Sequence, residues 1–141
     1  MIIGNNMTHN EFLDYRLPLN WCAEESEDKL FLYNPDGNGA ITISFFNVLS
    51  VEKSLEEQVC IIAKQFIDQN KIHTHSPLIL QQKGKKAIVY GTGVTSDNWF
   101  IKVWVVSQFP KIVFCTYQSE QKSNEVEICD LIIDSFNFKM D

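Results

Sequence analysis

The stretch WFIKVWVVSQF, residues 99–109, limits what this chain can become more than any other. Side chains alternate across a strand, so Trp99, Ile101, Val103 and Val105 point one way and Phe100, Lys102, Trp104 and Val106 the other. Neither set is polar. An antiparallel strand with one face in water would carry a polar set. Both faces must be covered, so this strand belongs in the middle of a layered structure. Its flanks read as a meander. Leu78–Gln81 is extended, Gly84 turns the chain, and Ala87–Gly91 is extended again. TSDN turns into the central strand, Pro110-Lys111 turns out of it, and IVFCTYQSE completes the set.

Two helices brace these strands. Ser54 with Glu57 three residues on reads as a capped helix start. Leu55, Val59, Ile62, Ala63 and Phe66 then form one apolar stripe, widened by Cys60, Ile61 and Ile67. Glu56, Glu57, Lys64, Asp68 and Lys71 make the wet side. A second helix closes the chain, with Asn124 as cap, Glu127 at the third position, and a stripe of Val126, Cys129, Ile132, Ile133 and Phe136.

The first half is extended as well. Leu13, Tyr15 and Leu17 alternate with Phe12, Asp14 and Arg16 up to Pro18, the pattern of an edge strand. A short strand at Trp21, a charged turn at Ser26–Asp28 and a strand at Leu30–Tyr33 follow. Ile41, Ile43 and Phe45 then alternate with Thr42, Ser44 and Phe46, one face apolar and the other mixed. Residues 1–10 are expected to be a loose tail. The expected order is β(4)–α–β(4)–α. This is one α+β domain over residues 1–141, with an antiparallel sheet packed by two helices.

Between the third and fourth strands lies NPDGNG, residues 34–39. A calcium loop would need oxygen ligands where Ala40 and Asn47 stand. A phosphate loop would run Gly-Lys-Ser/Thr into a helix, and here a strand follows. Gly and Asn tolerate the positive φ that hairpins demand, so this is a hairpin turn.

Leu17-Pro18 with Trp21, then Asn34-Pro35-Asp36-Gly37, Gly39, Ile43-Ser44 and the meander through Trp99–Val105, resemble the PsbP-like, Mog-type αβα sandwich superfamily. Within it the chain is similar to small bacterial domains of uncharacterised function. The resemblance spans nearly the whole chain. It implies a non-catalytic role, since such domains act as adaptors on a small GTPase, on a photosynthetic complex, or as chaperones for the apolar segment of a secreted toxin. It carries over no catalytic residue, and the polar residues 1–10 are too few for a long N-terminal helix.

Composition narrows the partners. Twelve basic and eighteen acidic residues give a net charge of −6, and Arg16 is the one arginine. Phosphate backbones and anionic membranes are recognised by basic residues, so neither is an expected partner. A protein partner is expected, and a homodimer is possible. The polar start and strand-length apolar runs imply a cytoplasmic protein. Cys22, Cys60, Cys115 and Cys129 lie far apart and read as reduced, mostly buried thiols.

Reactive chemistry finds little purchase. His73 and His75 could share a metal from one side of an extended segment, but no third ligand is near in sequence, and a loop pair is expected. Cys115 sits mid-strand between Phe114 and Thr116, which suits packing rather than nucleophilic attack. Glu24, Glu25, Glu27 and Asp28 read as a solvated turn. Gly91 and Gly93 lack the third glycine and the helix of a dinucleotide loop, and read as a strand bend or bulge. No catalytic residue, metal ligand or cofactor is expected. Phe46, Phe100, Trp104 and Tyr117 are expected together on one side of the sheet; if the second helix covers that side they are core, the reading preferred for most of them, and if it does not they form the candidate partner-binding face. The expected function is a non-enzymatic binding module: an adaptor, chaperone or immunity-type inhibitor using that face or its acidic surface. The alternative is a small-molecule binder or enzyme with a pocket between sheet and helix.

Overall fold

The structure is a computed structural model that describes residues 4–9 (backbone only), 12–26, 28–47 and 52–139. Five strands come first: β1 (Gly4–His9), β2 (Leu13–Pro18), β3 (Cys22–Glu25), β4 (Lys29–Tyr33) and β5 (Gly39–Asn47). Helix α1 (Leu55–Gln69) leads to β6 (His73–Thr74), β7 (Ile79–Lys83), β8 (Lys86–Val94), β9 (Phe100–Gln108) and β10 (Lys111–Ser119). Helix α2 (Glu125–Asp134) and the short β11 (Asn137–Phe138) close the chain. The α+β class and antiparallel meander are as expected. The order is not, because β1, β6 and β11 are additional.

The strands form two sheets. The larger runs β3-β4-β5-β10-β9-β8-β6, with β7 also on β8, and β9 lies inside it with Phe100–Ser107 all buried. The smaller runs β1-β2-β11. Residues 4–9 are therefore a paired strand, with Met7 opposite Tyr15, and not a loose tail. A polar strand is stabilised by ladder hydrogen bonds that carry no hydrophobic period, which is why the composition hid it. The same pairing puts β2 in the centre of its sheet rather than at an edge.

Register decides which side chains meet. Trp104 lies opposite Tyr90 and Cys115, and Cys115 opposite Ile43. One face of the large sheet thus carries Ile41, Ile43, Trp104, Val106, Cys115 and Tyr117, packed against β2 and the α2 stripe in the main core. On the other face, Val59 and Ala63 of α1 pack on Val89, Val105 and Ile112. The α1 cap is as expected, with Glu57 N–H donating to Ser54 Oγ at 3.2 Å. The α2 cap is different. Asn124 makes no side-chain cap, and Ser123 Oγ accepts from Glu125 N–H at 3.3 Å.

Of the bend or bulge expected at Gly91 and Gly93, no bulge forms against β9, since β8 and β9 pair without a slip from Ala87 opposite Ser107 to Val94 opposite Phe100. Gly93 lets β6 lie close, because a Cβ there would stand 2.4 Å from the His73 carbonyl oxygen.

Candidate functional site

The four aromatics do not share a face. Phe100, Trp104 and Tyr117 are buried in the main core, whereas Phe46 is 41% exposed. Phe46 pairs with Ile112, which belongs to the α1 side, while Tyr117 pairs with Ile41 on the α2 side. With α2 over that side, three of the four are core, the alternative to the patch, and the patch itself is not formed, because Phe46 is a surface residue on the opposite side of the sheet. Alternation was read correctly within each strand. What failed was the match of faces between strands, which the turns set.

A different surface takes its place. Helix α1 lies over β8 and β9 and reaches β10 through Phe66, whose ring is 4.7 Å from that of Phe114. Among the described residues no helix lies over β3, β4 and β5 on this side. The residues facing out there are half-buried Phe31, Tyr33 and Thr42 and exposed Phe46, Lys29 and Glu24, aligned by the pairs Glu24–Phe31 and Phe31–Thr42. The Tyr33 hydroxyl donates to the Glu24 carboxylate, which fixes one aromatic edge of this half-face.

The hairpin at 34–38 is a turn, as expected, held by Gly37 N–H on the Asn34 carbonyl at 2.8 Å. Its outer amides also hold an anion that the chain itself supplies. The buried Glu125 carboxylate accepts from Gly39 N–H at 3.0 Å, from Asn38 N–H at 3.1 Å and from the Tyr117 hydroxyl at 2.8 Å. A Cβ at Gly39 would stand 2.1 Å from the Gln118 carbonyl oxygen, so only glycine fits where the loop meets β10. Sequence reasoning missed Glu125. Its signal was a carboxylate in the first turn beside the apolar Val126.

Lys102 was also passed over. It is a cation in an apolar strand, and such a group needs a counter-ion. Its Nζ donates to Asp130 Oδ1 at 2.7 Å and lies 5.1 Å from the Tyr90 ring and 5.2 Å from that of Trp104. Trp104 Nε1–H donates to the same oxygen at 3.1 Å. The cleft here, between sheet and α2, holds about 140 Å³. Ligand sites are usually about 300 Å³ or more, so this is room for a few waters.

Burial pushes the Cys115 thiol well up, and burial with Glu125 and Asp130 nearby does the same to Cys129, so both are weak nucleophiles at neutral pH. Cys22 and Cys60 are half-buried and free. His73 and His75 are fixed by sheet contacts: His73 pairs with Val94, and His75 Nδ1 lies 3.1 Å from Thr92 Oγ1. Among the described residues no three His, Cys, Asp or Glu side chains are grouped for a metal. Of the expected acidic turn, Glu24, Glu25 and Asp28 are exposed, and Glu27 lies outside the described residues.

Burial pushes the Tyr117 hydroxyl up to about 12, aided by its bond to Glu125, and burial with the Glu25 charge does the same to Tyr15. The unfolded chain ionises these groups near pH 10. Between those values the folded state binds more protons, so stability is full below about pH 10 and falls as pH rises towards 12. Urea midpoints measured from pH 8 to 11.5 should show this decline, and Tyr117→Phe should flatten it.

No family model and no curated protein matches the sequence. Solved structures do match. Cyanobacterial PsbP (CyanoP) from Synechocystis sp. PCC 6803 superposes with a TM-score of 0.73 over 95% of this chain and 91% of its own, at 8% identity. The fold is PsbP-like. A protein of Bacteroides thetaiotaomicron VPI-5482 also superposes on this chain, with a TM-score of 0.68 at 16% identity. This chain covers 98% of itself in that match and 49% of the Bacteroides protein, so the shared fold occupies about half of that molecule. At such identities the likeness extends to the PsbP-like architecture alone. No helix among the described residues is long and apolar enough to cross a membrane.

Proposed function

We propose that the protein is a non-enzymatic protein-binding module whose docking surface is the open half of the α1-side sheet face. The observation that carries this reading is Phe46, 41% exposed on a half-sheet that also presents Phe31 and Tyr33. Aromatic side chains of this kind concentrate binding energy at interfaces, because they bury a large area at small entropic cost. Glu24 and Lys29 at the border supply a polar rim. The chemistry elsewhere fits this role: the buried thiols are held protonated, and the Lys102 charge is matched by Asp130.

Affinity capture from native cell extract with three baits tests the reading: the wild type, Phe46→Asp, and Leu131→Asp as an exposed control on α2. A partner lost with Phe46→Asp, at about tenfold or more, and kept with Leu131→Asp is the expected result. Equal recovery on all three baits would remove this face from consideration. Turnover of a small molecule that survives Phe46→Asp would favour the enzyme reading instead.

A further inference from the structure

The open half-face continues towards Trp99. Gln118 pairs with Ala40, and Ala40 with Tyr33, so all three look to the α1 side. Gln118 also lines a cleft of about 480 Å³ with Phe66, Asn70, Asp97, Trp99 and Ile101. Trp99 is 41% exposed, whereas Trp21 and Trp104 are 7% and 2% exposed. An indole left in water at the tip of a hairpin forgoes a large burial gain.

The turn that carries it is tightly closed. Trp99 N–H donates to Thr95 Oγ1 at 3.1 Å, and Thr95 N–H to the Trp99 carbonyl at 2.9 Å. Asn98 N–H donates to the Thr95 carbonyl at 2.9 Å, with Asn98 at φ 69, a region that asparagine tolerates. The backbone that carries the indole is thus fixed before any partner arrives, which lowers the entropic cost of binding.

The cleft is built for positive charge. Asp97 lines it beside the indole. Helix α1 ends there, with Phe66 in its last turn and Asn70 as its C-cap, and no basic residue occupies that turn. A helix C-terminus carries partial negative charge. Asn70 Nδ2 donates to the Phe66 carbonyl at 2.9 Å, which leaves its Oδ1 as an acceptor. Lys122 lines a neighbouring cleft with Trp99, Asn38 and Glu120, and it is not part of this one.

We propose that this cleft receives the guanidinium of an arginine side chain from a protein partner. The planar cation stacks on Trp99, and its N–H fork reaches Asp97 and the amide oxygens of Asn70 and Gln118. Arginine fits better than lysine because only the guanidinium both stacks flat and donates in a fork. The net charge of −6 would draw a basic partner in, as a salt-sensitive on-rate. The proposal rests on the protein-binding reading only for the source of the arginine.

The test titrates the ¹⁵N-labelled full chain with the blocked peptide acetyl-Gly-Gly-Arg-Gly-Gly-amide, and in parallel with its citrulline counterpart, a neutral isostere. The expected result is a saturable shift of the Trp99 indole N–H with a Kd of about 1–10 mM, with the Trp21 and Trp104 indoles unmoved. The citrulline peptide should bind about fivefold more weakly, and Asp97→Asn should weaken the arginine peptide about threefold. Trp99→Ala, which alters no core residue, should abolish the accompanying shifts at the Gln118 and Asn70 side-chain amides. Equal response to both peptides, shifts that map elsewhere, or no Trp99 shift at about 50 mM peptide would overturn the proposal. These outcomes are independent of Phe46, so loss of the sheet-face reading in the capture experiment would leave this test standing.

Discussion

Trp104→Ala should lower the free energy of unfolding by about 4 kcal/mol, the largest effect expected of any single substitution in this chain. Trp104 is 2% exposed, between β8, β10 and α2. Its removal leaves a cavity that close-packed neighbours fill only in part. It also takes one donor from Asp130 and one ring from beside Lys102. A domain of this size holds about 5–15 kcal/mol in all, so the variant should be near the edge of folding at 37 °C. Urea unfolding by far-UV circular dichroism would measure it. Trp104→Phe separates the contributions: it keeps most of the volume, loses the indole N–H, and should cost about 1–2 kcal/mol. A Trp104→Ala protein with wild-type stability would show that the main core is not packed as described. Such a variant is unsuited to testing partner binding, because any loss could come from unfolding.

Glu125→Ala should cost about 3 kcal/mol, although it removes a charged and nominally hydrophilic side chain. The carboxylate is the acceptor for Asn38 N–H, Gly39 N–H and the Tyr117 hydroxyl. Without it three donors lose their partner in a part-buried site, and each exacts a desolvation cost. The bond network also ties α2 to the β4–β5 hairpin, so the loss should be local before it is global. Amide exchange at Asn38 and Gly39 should accelerate well before exchange in β9 does. Glu125→Gln retains one carbonyl oxygen and should lose about half as much. Unchanged exchange at Asn38 and Gly39 in Glu125→Ala would mean that the hairpin is held by its own turn alone.

Both effects fall on residues whose importance the sequence only partly displayed. Trp104 was seen as a large aromatic in a central strand, but whether it was core or a surface shared with Phe46 depended on where the second helix lay. Glu125 was not singled out, because a carboxylate in the first turn of a helix usually complements the helix dipole in water. Lys102 stood in plain view in an apolar strand, but its counter-ion lay 28 residues away, beyond the reach of any local pattern. Gly93 was read as a bend or bulge, since a glycine within a strand has several uses and only the neighbour lying across it tells which. Strand β1 escaped because its residues alternate nothing apolar, and β6 and β11 because two residues carry no period.

Local patterning was sufficient for eight of the eleven described strands, the two helices, the apolar side of each and the hairpin at NPDGNG. Those properties follow from side-chain spacing of 2 or 3.6 residues and from turn chemistry, all of which act within a few positions. The tertiary structure alone decided that Phe46 faces away from Trp104, that β2 leaves the large sheet for a small one, that α1 stops at β10, and that Glu125 fills the hairpin. Each of these depends on register or contact between segments far apart in the chain. A one-residue change in pairing inverts every face of a strand, and a single strand carries no record of its partner's register.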